Sequence, residues 1–206
     1  MKTAVRKRDA PSVGYELPLI LRTRPALELS EDQFFELCQI NHDLRIERNA
    51  AGDLLIMPPE GWETGTRDAR ITAQLVLWAE QDGTGVATGS APGFRLPNGA
   101  VRAPDAAWLS RSRVESIPAD QRQRFLPACP DFVLELRSPS DRLRDLQDKM
   151  QEYLANGARL GWLLDPGPRR VYVYRPGVPV ERLDNPATVS GDPVLPGFVL
   201  DLRRVW

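Results

Sequence analysis

The sequence has little of the two residue types from which many metal and nucleophilic sites are built. It contains one histidine, His42, and two cysteines, Cys38 and Cys129. These numbers exclude a disulfide scaffold, a cysteine zinc site and a metal site built on several histidines, and they leave little basis for a Ser-His-Asp triad. The two cysteines are most simply reduced thiols, as expected of a cytoplasmic protein.

Long apolar runs and an excess of charge of one sign are also missing. No stretch approaches the length of a membrane span, and no apolar segment follows the basic N-terminus as in a signal peptide. The formal net charge is −1, so a DNA-binding surface would have to be a local patch. The sequence also lacks a G-x-x-x-x-G-K-[ST] loop, which argues against nucleotide hydrolysis.

The length and composition fit one α/β domain with short elements. A chain of 206 residues can bury one sizeable core, and nineteen prolines favour many turns. We expect residues 1–28 to form a poorly ordered arm, either a solvated tail or a basic arm that contacts DNA. Residues 29–206 are expected to form a single domain, which begins with a helix capped by Ser30 and Gln33.

Periodicity predicts the elements that follow this first helix. Apolar residues at helical spacing indicate a second helix over about 66–81. Two apolar runs around Asn49–Asp53 indicate a β-hairpin. Further short strands are predicted over 85–89, 93–96, 101–109, 160–164 and 171–174. This order of helices and strands predicts a sheet flanked by helices.

The stretch from Pro130 to Ser140 is the part around which the rest is organised. Its apolar residues predict a buried strand, and one carboxylate, Glu135, is set into that strand. Alternation puts Phe132, Leu134 and Leu136 on one face of the strand, and Asp131, Val133, Glu135 and Arg137 on the other. Upstream, Asp105 precedes another short apolar run. If the two strands are neighbours, Asp105 and Glu135 supply the hard oxygen ligands that Mg²⁺ prefers, and the backbone carbonyl of Leu136 would supply a third. The structural alternative is a turn-capping Asp105 and a Glu135 paired with Arg137.

A helix is predicted after this strand, and it carries a lysine at the margin of its inward face. The apolar positions of that face are Leu146, Met150, Tyr153 and Leu154. From the margin, Lys149 could extend over the sheet edge toward Glu135, whereas Gln147 lies at the opposite margin. The alternative for Lys149 is an ion pair with Asp145 on the helix surface.

The sequence of these segments resembles that of a known family. Pro104-Asp105 followed by Glu135-Leu136-Arg137 resembles the PD-(D/E)XK signature of restriction-endonuclease-like nucleases. From about Ser30 to Trp206 the chain resembles the Uma-type family of putative restriction endonucleases. The segments that carry this longer resemblance are Gly93–Gly99, Arg102–Asp105, Pro130–Ser140, Lys149, Tyr153, Asn156-Gly157, Gly161–Pro166 and Leu195–Phe198.

The resemblance implies a restriction-endonuclease-like fold, in which helices flank a mixed central β-sheet. It also implies Mg²⁺-dependent hydrolysis of phosphodiester bonds in DNA, with Mn²⁺ as a substitute. Asp105, Glu135 and the Leu136 carbonyl would hold the metal. Folds of this kind often add an acidic residue from an early helix, for which Glu63 is our candidate and Glu60 the alternative. An exposed glutamate at a helix N-terminus explains either residue equally well.

The sequence departs from the signature at Arg137, where lysine is expected. Arginine can hold a phosphate but cannot release a proton at neutral pH. We therefore expect Lys149 to supply the catalytic amine, its pKa lowered by burial and by a neighbouring metal. Arg137 would hold phosphate charge only.

The sequence thus predicts a cytoplasmic DNA endonuclease without membrane association. Double-strand cleavage would use a homodimer, because one site cuts one strand at a time. Two other functions stay open. The fold could serve as a catalytically inactive binding or assembly module, or the enzyme could act on RNA or on special DNA structures.

Overall fold

The computed structural model describes residues 18–206 and contains four α-helices within that range. They are α1 (Glu31–Ile40), α2 (Trp62–Asp82), α3 (Arg111–Ser116) and α4 (Leu143–Ala155), with short 3-10 helices at Gln121–Gln123 and Leu202–Arg204. The predicted capping box is present: the Ser30 side chain accepts from the Gln33 N–H at 3.2 Å, and the Ser30 N–H donates to Gln33 Oε1 at 2.9 Å. The second predicted helix is present, but it begins earlier, at Trp62.

The strands of the described residues form three sheets. In chain order they are β1 (Leu19–Leu21), β2 (Arg45–Arg48), β3 (Leu54–Met57), β4 (Gly85–Thr88), β5 (Phe94–Arg95), β6 (Val101–Arg102), β7 (Ala106–Ser110), β8 (Phe132–Leu136), β9 (Leu160–Asp165), β10 (Arg170–Tyr174), β11 (Glu181–Asp184), β12 (Thr188–Ser190) and β13 (Val199–Asp201). The six-stranded sheet has the order β11-β10-β9-β8-β7-β4, and the five-stranded sheet has the order β1-β3-β2-β6-β5. The third sheet consists of β12 and β13.

The six-stranded sheet is mixed, because β8 and β9 run parallel while its other pairs are antiparallel. The parallel pair requires a crossover, and α4 provides it. Helices lie on both faces of this sheet. Ile71 and Leu75 of α2 pack in one core cluster, and Met150 and Tyr153 of α4 pack in another. The predicted fold class, a mixed central sheet flanked by helices, is confirmed.

Alternation along β8 explains how both faces are filled. Phe132, Leu134 and Leu136 belong to the cluster on the α2 side, while Val133 belongs to the cluster on the α4 side. Because side chains alternate along a strand, Glu135 projects to the same face as Val133, toward α4. The alternation predicted from the sequence is therefore confirmed, and it directs a carboxylate at the helix that carries Lys149.

One of the predicted strands differs from the structure. The single strand expected over 101–109 is divided into β6 and β7, which belong to different sheets. Pro104-Asp105 is the point of division, because proline cannot donate to a sheet and favours a change of direction. The hairpin predicted around Asn49–Asp53 is confirmed as β2 and β3.

The N-terminal segment is described only in part. Leu19–Leu21, within the arm predicted over residues 1–28, form β1 and pair with β3. The remainder of that prediction, residues 1–17, lies outside the described residues. The division into an arm and a domain over 29–206 stays a prediction. Within residues 18–206, no helix combines the length and apolarity needed to cross a membrane.

Candidate active site

The two predicted carboxylates lie opposite one another at the junction of the two larger sheets. β7 and β8 are antiparallel neighbours, with Ala106 paired to Leu134, so the same register places Asp105 opposite Glu135. The backbone N–H of Leu136 donates to Asp105 Oδ2 at 2.7 Å. Asp105 is 6% exposed and Glu135 3%. The condition that their strands be adjacent is therefore met.

Helix α4 directs two polar groups at Glu135. The amine of Lys149 lies 2.9 Å from Glu135 Oε1, and the hydroxyl of Tyr153 donates to the same oxygen at 3.0 Å. Residues four apart share one face of a helix, so the spacing of Lys149 and Tyr153 brings both to the sheet together. Among the described residues, the ion pairs of Lys149 are with Glu135 and Glu47 and not with Asp145.

Glu47 of β2 is a member of this cluster that sequence reasoning missed. Its Oε1 lies 2.9 Å from the Lys149 amine and accepts from the Ala103 N–H at 3.1 Å, while its Oε2 lies 3.2 Å from Arg102. The side chain is buried. In the sequence, Glu47 alternates with apolar residues and resembles an outward-facing strand position. In the structure it is enclosed by Lys149 of α4, Arg102 and the Ala103 N–H, contacts that no local pattern indicates.

Arg45, two residues before Glu47, was missed for the same reason. One of its guanidinium nitrogens donates to the Ala103 carbonyl at 2.6 Å and to Asp105 Oδ1 at 3.2 Å, and the other lies 3.5 Å from Glu60 Oε1. Glu60, the alternative acidic residue, is therefore linked to Asp105 through one guanidinium. The structure does not bring Glu63 into the cluster, because its side chain is 80% exposed and pairs with Arg67.

Asp68 of α2 is a further carboxylate near the site. Burial, followed by the charges of Asp105 and Glu60, raises the pKa of Asp68 to about 6. The sequence contains a signal for this position, because Asp68 precedes the buried Ile71 by three residues and Leu75 by seven. An ionisable residue on the apolar stripe of a helix indicates an inward-facing charge.

Arg137 is directed away from the two carboxylates. Its guanidinium pairs with Asp165 Oδ2 at 3.0 Å and donates to the Asp141 carbonyl at 3.1 Å. Asp165 ends β9, which runs parallel to β8, so the two residues meet where both strands end. The alternative in which Arg137 pairs with Glu135 does not occur in the structure.

The comparisons with known proteins agree with this architecture. The model of the Uma2 family, described as putative restriction endonuclease, matches residues 31–203. The chain belongs to the Uma2 family. A putative nuclease of DUF820 from Anabaena variabilis ATCC 29413 has a similar structure, with a TM-score of 0.71 and 19% identity over 86% of this chain and 97% of that one. At this identity the likeness concerns the fold. No curated protein matches the chain.

Within this Uma2 family member, burial and the neighbouring acids determine the charge of the site. Burial, with the charges of Asp105 and Glu47, raises the pKa of Glu135 to about 7 against the opposing effect of Lys149. Burial also favours a raised pKa for Glu47, but Lys149 and Arg102 outweigh it and hold that pKa below its usual value. For Lys149, burial favours a lower pKa, yet Glu135 and Glu47 raise it above the usual value.

The Uma2 site holds more carboxylates than cations, and three of the carboxylates, Glu47, Asp105 and Glu135, are buried. The carboxylates of the cluster are Glu47, Glu60, Asp68, Asp105, Glu135 and Glu152, and its cations are Arg45, Arg102 and Lys149. An excess of carboxylates in a poorly solvated place is unfavourable unless protons or a cation neutralise it. The pKa values of Glu135 and Asp68 are raised because these side chains lie in a poorly solvated place among other carboxylates.

The carboxylates of Asp105 and Glu135 fit Mg²⁺, which needs few ligands from the protein. No group of three or more His, Cys, Asp or Glu side chains within residues 18–206 is arranged to hold a metal ion. Mg²⁺, however, is usually held by one or two carboxylates, with water and substrate phosphate completing the shell. The contacts of Glu135 to Lys149 and Tyr153 both use Oε1, and each oxygen of Asp105 can accept more than one partner. These two carboxylates can therefore accept a cation while they keep their present partners.

Proposed function

We propose that this Uma2 family member is a Mg²⁺-dependent endonuclease that hydrolyses phosphodiester bonds in DNA, with Mn²⁺ as a substitute metal. The observation that carries the proposal is the buried, facing pair Asp105 and Glu135, with the buried carboxylate of Glu47 beside Lys149 in the same cluster. Membership of a family described as restriction endonucleases supports DNA as the substrate. The free thiols Cys38 and Cys129 are consistent with action in the cytoplasm.

In this proposal Asp105, Glu135 and the carbonyl of Leu136 hold the metal. When bound, Mg²⁺ would supply a positive charge that stabilises negative charge on the phosphate during hydrolysis. Arg45 holds Asp105 in place, and Tyr153 orients Glu135 by a hydrogen bond. Lys149 carries positive charge into the site between Glu47 and Glu135. Arg137, near the end of the same strand, holds phosphate charge beside the site.

The test is to remove each proposed metal ligand and to measure both cleavage and metal binding. We expect Asp105→Ala and Glu135→Ala to reduce Mg²⁺-dependent cleavage of plasmid DNA by about 100-fold or more, because several kcal/mol of charge stabilisation is lost. Because each removal takes away one of the two acidic partners of a cation, Arg45 or Lys149, Asp105→Asn and Glu135→Gln are measured beside them. Glu181→Ala on the exposed β11 strand is the matched control.

Calorimetric titration with Mg²⁺ gives a readout that does not depend on turnover. The parent and Glu181→Ala should bind Mg²⁺, and the four site variants should bind it weakly. If a variant of Asp105 or Glu135 folds, as judged by circular dichroism, and cuts DNA as fast as the parent, the substituted residue is not part of the proposed site.

The runner-up is a catalytically inactive binding or assembly module. One observation favours it: Lys149 and Arg45 already pair directly with Glu135 and Asp105. For such a module we expect nucleic-acid binding without Mg²⁺ binding and without cleavage. The same cleavage assay on RNA and on branched DNA tests the remaining alternative substrates.

A further inference from the structure

Trp62 is a large apolar side chain that the fold leaves in solvent. It is 85% exposed, whereas Trp108 and Trp162 are buried in the core at 3% and 0%. Tryptophan is on average a highly buried residue, because its ring contributes a large apolar area to a core or an interface. The exposed ring of Trp62 adds almost nothing to the packing of this chain. It is therefore available to a ligand.

Trp62 is close in the chain to a residue that contacts the proposed active site. It is the first residue of α2 and follows Glu60 by two residues. Glu60 lies 3.5 Å from the same Arg45 guanidinium that contacts Asp105 at 3.2 Å. The exposed segment of residues 58–63 is thus connected to a proposed metal ligand through one arginine.

The loop after β8 is also linked to the proposed metal ligands. Asp141 in that loop accepts from the Ser138 N–H at 2.7 Å, and its carbonyl accepts from Arg137 at 3.1 Å. The loop starts directly after Leu136, whose N–H donates to Asp105 Oδ2 at 2.7 Å. The segment that presents Trp62 and the loop that follows β8 are therefore both linked to Asp105, one through Arg45 and one through the Leu136 N–H.

We propose that Trp62 stacks on an unpaired base of the nucleic-acid substrate, beside the phosphodiester bond that is cut. The inference rests on the proposed nuclease function and deepens it by assigning a substrate class. Every base has a flat face, so an exposed aromatic ring can hold a strand without reading its sequence. In an intact duplex those faces are covered by neighbouring base pairs. The geometry thus favours strands with an unpaired nucleotide at the cleavage site, as in single-stranded, frayed or branched DNA.

The experiment measures binding of a fluorescein-labelled single strand by anisotropy, with Ca²⁺ replacing Mg²⁺ as the hard cation. The variants are Trp62→Ala and Trp62→Phe in the full chain, and the matched control is Leu77→Ala, an exposed apolar residue of the same helix. We expect Trp62→Ala to weaken binding about 5- to 150-fold, the range for one lost stack. Trp62→Phe should keep most of the affinity, and Leu77→Ala should keep all of it.

Two further ligands separate stacking from other contacts. A strand with abasic positions should bind the parent and Trp62→Ala with equal affinity, and so should a blunt duplex. If Trp62→Ala lost the same factor of affinity for the normal strand, the abasic strand and the duplex, the proposal would be overturned. The ring would then contact the backbone of the nucleic acid and not a base.

The failure of this inference can be distinguished from the failure of the proposed function. Suppose that the parent cleaves DNA and that Trp62→Ala binds the normal strand as tightly as the parent does. This result would reject the stacking role but not the nuclease function. A parent that neither binds nor cleaves any nucleic acid would reject both, and Trp62 would then be a contact for a protein partner.

Discussion

Lys149 is the residue whose charge state matters most to the proposed chemistry. Its amine lies 2.9 Å from both Glu47 and Glu135. Burial alone would lower its pKa, but the two carboxylates outweigh burial and raise the pKa above the usual value. The protein without metal therefore holds an ammonium at this position. The hypothesis that Lys149 acts as a titratable amine depends on a nearby metal, whose charge opposes that of the carboxylates.

Exchanging lysine and arginine at two positions tests this hypothesis. We expect Lys149→Arg to lose most of its turnover at neutral pH, because arginine keeps the charge but cannot release a proton. Arg137→Lys should retain activity, because Arg137 contacts Asp165 and not the two carboxylates. The measurement is a single-turnover pH–rate profile of each variant beside the parent.

Arg144→Lys is the control for this exchange, since Arg144 lies on the same helix and is 89% exposed. Its profile should match that of the parent. If the profile of Lys149→Arg also matched the parent, Lys149 would act only as a fixed positive charge between Glu47 and Glu135.

Asp68 provides a prediction on stability against pH. The folded protein raises its pKa from 3.8 to about 6, first through burial and then through Asp105 and Glu60. Ionised Asp68 therefore opposes folding, and its stabilising contribution is complete below about 3.8 and is lost as the pH rises through about 6. In EDTA, Asp68→Asn should gain about 1–2 kcal/mol over the parent above pH 6, allowing for solvent screening.

Urea denaturation between pH 4 and 8 measures this difference. The gain of Asp68→Asn should grow between pH 4 and 6 and then stay constant. Glu80→Gln, an exposed position on the same helix, is the control and should show no such change. A gain that did not vary with pH would mean that the charge of Asp68 has no part in the effect.

Among the elements, β4 is held against β7 at a close approach that only glycine permits. A Cβ at Gly85 would lie 2.3 Å from the Leu109 carbonyl oxygen and 2.3 Å from the Trp108 ring. Since backbone and a buried ring cannot yield easily, β4 would have to move away from its neighbour. We expect Gly85→Ala to destabilise the fold by about 1–3 kcal/mol, as other overpacked cores do.

Gly65 of α2 offers the matched control for this element. A Cβ there would meet nothing within 4 Å, and alanine favours a helix interior over glycine by about 0.5–1 kcal/mol. Chemical denaturation of both variants should thus give changes of opposite sign. A stable Gly85→Ala protein would show that β4 can shift without cost.

For the whole molecule, the open question is assembly. One site cuts one strand, so we expect clean double-strand cleavage to require a homodimer. Strand β1 ends the five-stranded sheet among the described residues, and its Leu19, Ile20 and Leu21 are 48%, 47% and 52% exposed. An exposed apolar edge strand of this kind is a ready surface for pairing. We expect Ile20→Lys to weaken self-association and double-strand cleavage together.

Sedimentation at the concentration used for cleavage measures the association. Val199→Lys, at a similarly exposed position of β13, is the control and should leave both properties unchanged. If the parent sediments as a monomer and still cuts both strands cleanly, double-strand cleavage does not require a homodimer.

The sequence by itself determined several of the elements and the central pair of carboxylates. The capping box at Ser30, the alternation along Phe132–Leu136 and the position of Lys149 on α4 are local patterns, and each has the predicted geometry. Local patterns suffice here because helix and strand periods fix which side chains share a face. The facing of Asp105 and Glu135 follows once β7 and β8 are neighbours.

Only the tertiary structure decided which other residues surround that pair. Arg45 and Glu47 belong to the five-stranded sheet, and they join the site through contacts outside that sheet, Arg45 with Asp105 and Glu47 with Lys149 of α4. Likewise, Glu60 lies beside Arg45 while Glu63, three residues on, projects into solvent. Strand periodicity specifies two faces but not what covers them. The partners of a buried charge depend on contacts between residues far apart in the chain, such as Glu47 with Lys149, and no local signal records those contacts.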